Sequence, residues 1–184
     1  LQPHLRLARD LDARRASGAR GTRARAGAEC ARVSASACVD AGASVSYLPP
    51  LARDTALAFW TRSASAAAMD KRVLLAGWVD GVLAGTVTLD LDTPPNQPHR
   101  AEIAKLLVHP AARRHGLARR LMARMEAEAR SAGRSLLVLD TRAGDAAEPL
   151  YRAMGYTEAG RIPGFALSGE GTYDATIFFW KHLG

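Results

Sequence analysis

The stretch VHPAARRHGLA at residues 108–118 decides the fold. The stretch begins at the end of the mostly apolar residues 101–108, which are typical of a strand, and Pro110 ends that strand. After it, apolar residues recur at every fourth position and predict one stripe of a helix: Leu117, Leu121, Met125 and Ala129. A strand therefore leads through a short basic loop into a long helix, which Gly133 ends.

The loop and the helix start have the features of an anion site. The first turn of a helix carries unpaired N–H groups and the positive end of the helix dipole. Gly116 has no side chain, so a phosphate can approach the backbone closely, and the small Ala118 keeps that approach open. Positive charge comes from Arg113, Arg114 and Arg119. These features favour a ligand of the pyrophosphate type, and an ordinary strand–helix connection with solvated arginines is the alternative.

The rest of the chain predicts a mixed α/β sheet. Strands at residues 72–79 and 82–91 flank Asp80-Gly81, which is a strong signal for a β-hairpin. A short buried strand at 136–140 follows the long helix, so the crossover makes it parallel to the strand at 101–108. The remaining predicted elements are a strand at 5–7, helices at 31–39, 51–69 and 146–154, and a strand at 173–180.

Length and charge favour one domain with a basic segment before it. The chain has 184 residues, of which 48% are apolar, and this is enough for a single hydrophobic core. Its formal net charge is +7, but residues 1–32 hold eight Arg against three acidic residues, a net of +5. We predict a low-complexity basic N-terminal arm at 1–32 and a domain at 33–184. A solvated arm is favoured over one that binds polyanions, so nucleic acid is not an expected partner.

The sequence contains no signal for a membrane, an export pathway or a metal. No run of about 18 uncharged apolar residues is present, so no contact with a membrane is expected. No apolar run with a small-residue cleavage site follows the arginine-rich start, which argues against a secretory signal. Cys30 and Cys38 have no nearby Cys or His to complete a zinc set, so we predict free thiols, no metal site and a cytoplasmic location. Cys38 is not expected to carry an acyl group, because no His or basic group is locally placed to activate it.

Two segments carry a family resemblance. Arg113-x-x-Gly116-x-Ala118, placed after a strand, resembles the acetyl-CoA signature [RQ]-x-x-G-x-[GA] of the GNAT acetyltransferase superfamily. Ala147-x-x-x-Tyr151-x-x-x-Gly155-Tyr156, on the helix after the next strand, also resembles that family. The resemblance covers residues 38–184. It implies an α/β fold with a GNAT-like mixed, largely antiparallel sheet, a central splayed parallel strand pair and flanking helices, with acetyl-CoA as the acetyl donor.

Within the superfamily, the chain resembles the tabtoxin-resistance type of acetyltransferase. Seven segments carry this narrower similarity: residues 41–45, 100–102, 105–106, 139–141, 143–144, 163–164 and 175–177. It implies an N-acetyltransferase whose partner is a small-molecule amine, either amino-acid-like or an antibiotic. The alternatives are an acyl-CoA-binding regulatory module without turnover and an acetyltransferase that acts on protein N-termini or lysines.

The resemblance also implies which residues hold the donor. Backbone groups at the end of the strand would bond the pantetheine arm, and the loop and helix start would hold the pyrophosphate. The implied cofactor-binding residues are Leu106, Leu107, Val108, Arg113, Arg114, His115, Gly116, Leu117, Ala118 and Arg119. Tyr151 would lie near the thioester sulfur as a general acid for the leaving thiolate. Many members have Asn seven residues before this tyrosine, where it contacts the cofactor, and here that residue is Gly144.

Direct acetyl transfer also needs a base, because an alkyl amine with a pKa near 10 is only about one part in a thousand neutral near pH 7. Glu102 is the first candidate, since Ala101 and Ile103 flank it and desolvation would raise its pKa. It stands eleven residues before Arg113, the spacing of the glutamate base in the histone-acetylating branch of the superfamily. The alternative for Glu102 is an ion pair with a neighbouring cation, Arg100 or Lys105.

Asp140 is the second candidate base. It ends the neighbouring strand, at the edge where open α/β sheets usually bind ligands. Its alternatives are to hold the ammonium of the substrate or to cap the following loop. Asp145-x-x-Glu148 has the spacing of a capping box, which explains both of these acidic residues without catalysis. Sheet edges near the C-terminus make a homodimer a further expectation.

Overall fold

The computed structural model describes the backbone of residues 4–7, residues 38, 39 and 43, and residues 46–184. The strands in this part of the chain are β1 His4–Leu7, β2 Arg72–Val79, β3 Val82–Asp90, β4 Arg100–Val108, β5 Leu136–Arg142, β6 Thr157–Leu167 and β7 Tyr173–His182. The α-helices described are α1 Arg53–Ala68, α2 Leu117–Ser131 and α3 Glu148–Ala153, and a short 3-10 helix at Pro110–Ala112 lies between β4 and α2.

The seven strands form one sheet in the order β1-β2-β3-β4-β5-β7-β6. Neighbouring strands are antiparallel except β4 and β5, which run parallel. Helix α2 connects those two strands, so the predicted crossover is present. The predicted fold class, a mixed and largely antiparallel sheet with helices against it, is confirmed.

The hairpin between β2 and β3 has the predicted turn. Asp80 and Gly81 both have positive φ, at 49° and 79°, as a two-residue type I′ turn requires. Val79 pairs with Val82 directly across the turn. The local signal in the sequence was therefore sufficient to place this hairpin.

The sheet has a helix against each face. The predicted apolar stripe of α2 is buried against the face that carries Val87 and Leu89. Helix α1 packs Trp60 and Ala56 against the opposite face, which carries Leu74. Side chains of successive strand residues point to opposite faces, and this gives two separate apolar clusters from one sheet.

A β-bulge changes the course of β4. Thr88 pairs with Ala104 and Thr86 pairs with Leu107, so three steps along β4 oppose two steps along β3. Lys105, inside the bulge, has a φ of 56°.

The parallel pair separates as predicted. Pairing between β4 and β5 is confined to residues 100–102 of β4 and 136–138 of β5. Both strands continue beyond this point, β4 to Val108 and β5 to Arg142, without pairing to each other. Their C-terminal ends therefore border a gap in the sheet.

Strand β6 was not predicted. Its sequence contains Gly160, Pro163 and Gly164, which are typical of a loop. Among the described residues it is an edge strand that pairs only with β7, and its register shifts between Glu158 and Gly160 and between Ile162 and Ala166. Because an edge strand makes only one ladder, it tolerates proline and glycine at such irregularities.

Several predictions fall in the first part of the chain. The predicted strand at residues 5–7 is confirmed as β1, which pairs with β2. The rest of the predicted arm and most of the predicted helix at 31–39 lie outside the described residues, although Cys38 and Val39 are described and buried. Within the described ranges, no helix has both the length and the apolar composition to cross a membrane.

A candidate active site between the splayed strands

A groove of ≈ 800 Å³ runs along the end of β4 and the start of α2. Its far wall is formed by residues between β5 and α3, among them Gly144 and Ala147. His115 is exposed and does not line the groove. The other nine predicted cofactor-binding residues do line it: Leu106, Leu107, Val108, Arg113, Arg114, Gly116, Leu117, Ala118 and Arg119.

The start of α2 presents backbone donors to this groove. Gly116 is the N-cap residue, with a φ of 76°, and no side chain caps the first turn. A β-carbon at Gly116 would meet no atom within 4 Å, so its glycine is required by the backbone angle and not by crowding. The uncapped N–H groups, the helix dipole and the neighbouring arginines together favour an anion at this end of the groove.

Arg113 joins the loop to the floor of the groove. Its Nε donates a hydrogen bond to the carbonyl oxygen of Val108 at 3.3 Å. Its positive charge also lies close enough to Cys38 to act on the pKa of that thiol, so the premise that no basic group lies near the thiol is wrong. Burial nevertheless raises the pKa of Cys38, and Arg113 only partly opposes that effect. The thiol therefore remains a weak nucleophile.

A second cavity, of ≈ 340 Å³, adjoins the groove. It is bounded by the bulge of β4, the ends of β5 and β6, the start of β7 and residues 46–48. Both cavities share five lining residues: Ala43, Leu106, Arg142, Asp145 and Ala147. The groove and this pocket therefore meet at the gap between the splayed strands.

Tyr151 lies on α3 and lines the pocket. Its side chain is 5% exposed, and its ring centroid lies 5.9 Å from those of Tyr156 and Phe179. Burial raises the pKa of Tyr151 strongly, and the negative charges of Asp145 and Asp140 add to the effect. The hydroxyl therefore stays protonated through the neutral range and can act as a proton donor.

The predicted capping box at the start of α3 is not formed: the N-cap residue is Ala147, and Asp145 and Glu148 accept from other backbone N–H groups than those of a capping box. The backbone N–H of Ala147 donates to Asp145 Oδ1 at 2.9 Å, and the N–H of Gly144 donates to Glu148 Oε2 at 3.0 Å. These bonds hold the turn before Tyr151. Gly144, which replaces the asparagine of many family members, has a φ of 77° and lines the groove.

The two candidate bases lie in different surroundings. Asp140 lines the pocket, and its Oδ2 accepts a hydrogen bond from Thr176 Oγ1 at 3.2 Å. Glu102 lines neither cavity, and its side chain is 50% exposed and 3.8 Å from Arg100.

The desolvated setting that we predicted for Glu102 is not found. Its flanking residues Ala101 and Ile103 are buried, but they point to the other face of the strand because side chains alternate along it. Of the two cations named as alternatives, Arg100 is the ion-pair partner.

Three charged residues of the pocket were not assigned a role from sequence: Lys105, Arg142 and Asp174. Arg142 lies 3.6 Å from Asp145 and 3.5 Å from Asp174. The three residues come from β4, β5 and β7, so no short motif contains them. The only sequence signal was the position of Arg142 at the carboxyl end of a strand in an open α/β sheet.

Comparisons with known proteins agree with this geometry. A model of the acetyltransferase (GNAT) family matches residues 44–156. An uncharacterized N-acetyltransferase in the hisH-hisA intergenic region of Azospirillum brasilense is 38% identical over 106 residues, which are 56% of this chain. The chain spans 61% of the length of that relative.

Two solved structures share the fold at low sequence identity. A GNAT-family acetyltransferase from Streptococcus pneumoniae has a TM-score of 0.74 and 18% identity, over 99% of this chain and 100% of the other. The yncA protein of Salmonella typhimurium, solved with its cofactor acetyl-CoA, has a TM-score of 0.66 and 20% identity, over 100% and 95%. At these identities the similarity establishes the fold alone, whereas the family model covers more than half of the sequence. This chain therefore belongs to the acetyltransferase (GNAT) family.

Proposed function

We propose that this protein is an acetyl-CoA-dependent N-acetyltransferase that transfers acetyl directly to a primary amine of a small amino-acid-like or antibiotic molecule. One observation carries the proposal: the groove along β4 and α2 meets the pocket at shared lining residues. A donor in the groove and an amine in the pocket would touch at the gap in the sheet. Direct transfer depends on this contact, because holding two reactants together supplies much of the catalytic effect.

The groove residues suit the two halves of the donor. Beyond residue 102, β4 has no pairing with β5, so the backbone groups of Leu106 and the N–H of Val108 would bond an amide-rich pantetheine arm, while the carbonyl of Val108 accepts from Arg113. The uncapped first turn of α2, with Arg119 beside it, would hold the pyrophosphate. Arg114, which also lines the groove, adds charge at the same end.

The pocket residues suit the proton transfers of the reaction. Asp140 takes a proton from the ammonium, and the neutral amine nitrogen then attacks the thioester carbonyl carbon. The new C–N bond forms and the C–S bond breaks. Tyr151 donates its hydroxyl proton to the departing thiolate, and the proton that the nitrogen loses as it becomes an amide returns to the phenolate through solvent. Asp140 is preferred to Glu102 as the base because only Asp140 lines the pocket.

Substituting the two carboxylates separately tests this choice of base. In Asp140→Asn, kcat/KM near pH 7 should fall about 30-fold, a modest loss because the exposed carboxylate lies where solvent can also accept the proton. The loss should shrink as the pH approaches the pKa of the amine, since the substrate then deprotonates itself. Glu102→Gln should stay within about twofold of wild type. The reverse pattern in steady-state kinetics would assign the base to Glu102.

Calorimetric titration with acetyl-CoA at moderate salt, followed by a screen of amines, tests the function as a whole. We expect one-to-one binding in the micromolar range and release of free thiol when a suitable amine is added. Binding without turnover on any small amine, peptide or protein would instead indicate an acyl-CoA-binding module. Absence of binding in a folded sample would contradict the proposal.

A further inference from the structure

Not all of the charged side chains that line the pocket have an ion-pair partner among the described residues. Five charged residues line it, and three of them form one group in which Arg142 pairs with both Asp145 and Asp174. In the described part of the chain, the other two, Lys105 and Asp140, form no ion pair. Lys105 and Asp140 therefore offer one cation and one anion to whatever enters the pocket, beside an Arg142 group in which one cation faces two carboxylates.

Lys105 is held in place by neutral neighbours. Its Nζ donates a hydrogen bond to Ser46 Oγ at 3.0 Å and lies 5.8 Å from the ring centroid of Phe59. The bulge of β4 fixes the backbone of this residue with a φ of 56°, which directs its side chain out of the regular strand pattern. The ammonium is thus positioned in the pocket before any ligand binds.

This ammonium is also partly removed from water. Burial lowers the pKa of Lys105, and the positive charge of Arg72 lowers it further. The negative charges of Asp140 and, to a smaller extent, Glu102 raise it and so oppose the effect of burial. A half-buried charge without an ion-pair partner is costly, and a ligand anion that reaches it recovers part of that cost. A fixed, poorly solvated cation therefore binds an anion better than a mobile surface lysine does.

We propose that Lys105 determines acceptor specificity by binding a carboxylate of the acceptor. The acceptor is then a zwitterion whose amine lies towards Asp140 and whose carboxylate lies towards Lys105. This inference rests on the proposed function and narrows its substrate class. An amine without an acidic group leaves Lys105 unpaired, and a diamine brings a second cation against it.

Paired substrates test the inference directly. A panel of amino acids, each with its own carboxamide, changes only the acidic group within a pair. For each pair and each variant, the quantity measured is the ratio of kcat/KM for the acid to kcat/KM for its amide. Lys105→Met should lower this ratio at least about fivefold relative to wild type, mainly through a higher KM for the acids, and Lys105→Arg should restore part of it. Because the amide and the acid differ in intrinsic amine reactivity, the ratio is compared between variants and not between substrates.

Two controls separate this inference from the proposed function. The affinity of Lys105→Met for acetyl-CoA, measured by calorimetry, should match that of wild type, which shows that the groove is intact. Lys71→Met removes an exposed lysine that pairs with Asp92 outside both cavities, and the acid-to-amide ratio should remain that of wild type.

Two outcomes would overturn the role of Lys105: an acid-to-amide ratio of kcat/KM that is unchanged in Lys105→Met, or acetyl-CoA binding with transfer to no acid of the panel. Failure of wild type to bind acetyl-CoA would overturn the proposed function itself.

Discussion

Replacing Tyr151 with Phe is expected to lower kcat about 1,000-fold while the affinity for acetyl-CoA stays within about threefold of wild type. The substitution removes one hydroxyl and keeps the ring that packs against Tyr156 and Phe179. If Tyr151 protonates the leaving thiolate, its loss affects the reaction step and not the binding of the donor. Single-turnover kinetics with saturating acetyl-CoA, together with calorimetry, would measure the two quantities separately.

Tyr156→Phe is the matched control for this substitution. Tyr156 is buried beside Tyr151 but lines neither cavity, so the loss of its hydroxyl should leave kcat within about twofold.

The raised pKa of Tyr151 also predicts how wild-type kcat depends on pH. Up to pH 10 the phenol of Tyr151 should stay protonated, so its ionisation should cause no decline in kcat. A Tyr151→Phe enzyme that kept more than about a tenth of wild-type kcat would remove Tyr151 from the mechanism.

Replacing Gly116 with Glu is expected to raise the Kd for acetyl-CoA at least about 100-fold. Two effects combine at this residue. A β-carbon at a φ of 76° costs about 1–2 kcal/mol in backbone strain. The new carboxylate also lies at the uncapped, positive end of α2, where the pyrophosphate is expected to bind. Calorimetric titration at two salt concentrations would measure the loss of affinity for acetyl-CoA and the part of that loss that depends on charge.

Two further variants separate strain from charge. Gly116→Asn adds a side chain that tolerates positive φ and carries no charge, so the Kd should rise about threefold to tenfold. Gly81→Glu puts the same acidic residue into the β2–β3 turn at a φ of 79°, away from both cavities, and should leave the Kd unchanged. Equal losses in Gly116→Asn and Gly116→Glu would show that charge at this position is irrelevant and would place the pyrophosphate elsewhere.

Much of the fold could be predicted because its signals are local. The Asp80-Gly81 turn, the apolar stripe of α2 and the crossover between β4 and β5 each depend on residues that are close in sequence. Strand β6 could not be predicted in the same way. Glycine and proline interrupt it, and its side chains are mostly exposed, so it lacks the alternation that marks a half-buried strand.

The groove and the pocket also differ in how close in sequence their lining residues are. Most of the lining of the groove lies in one continuous stretch, residues 106–119, which contains the short motif, and the rest, chiefly its far wall at 142–150, comes from residues distant in sequence. The pocket unites Lys105, Arg142 and Asp174 from three strands, and only the order of strands in the sheet brings them together. Glu102 was expected to be desolvated by its apolar neighbours in sequence, but those neighbours face the opposite side of the strand and Glu102 does not line the pocket.

The division between groove and pocket also bears on how new activities could arise in this protein. The pocket takes part of its wall from residues 46–48 and from the exposed edge strand at 165–167, and neither segment lines the groove. If the pocket holds the acceptor as proposed, substitutions in these segments would change the amine that is accepted and leave the groove unaltered; Tyr47 is best kept, because it also packs against Phe59 beside the core. A mutant library confined to them would search for new acceptors while every variant keeps the inherited donor site.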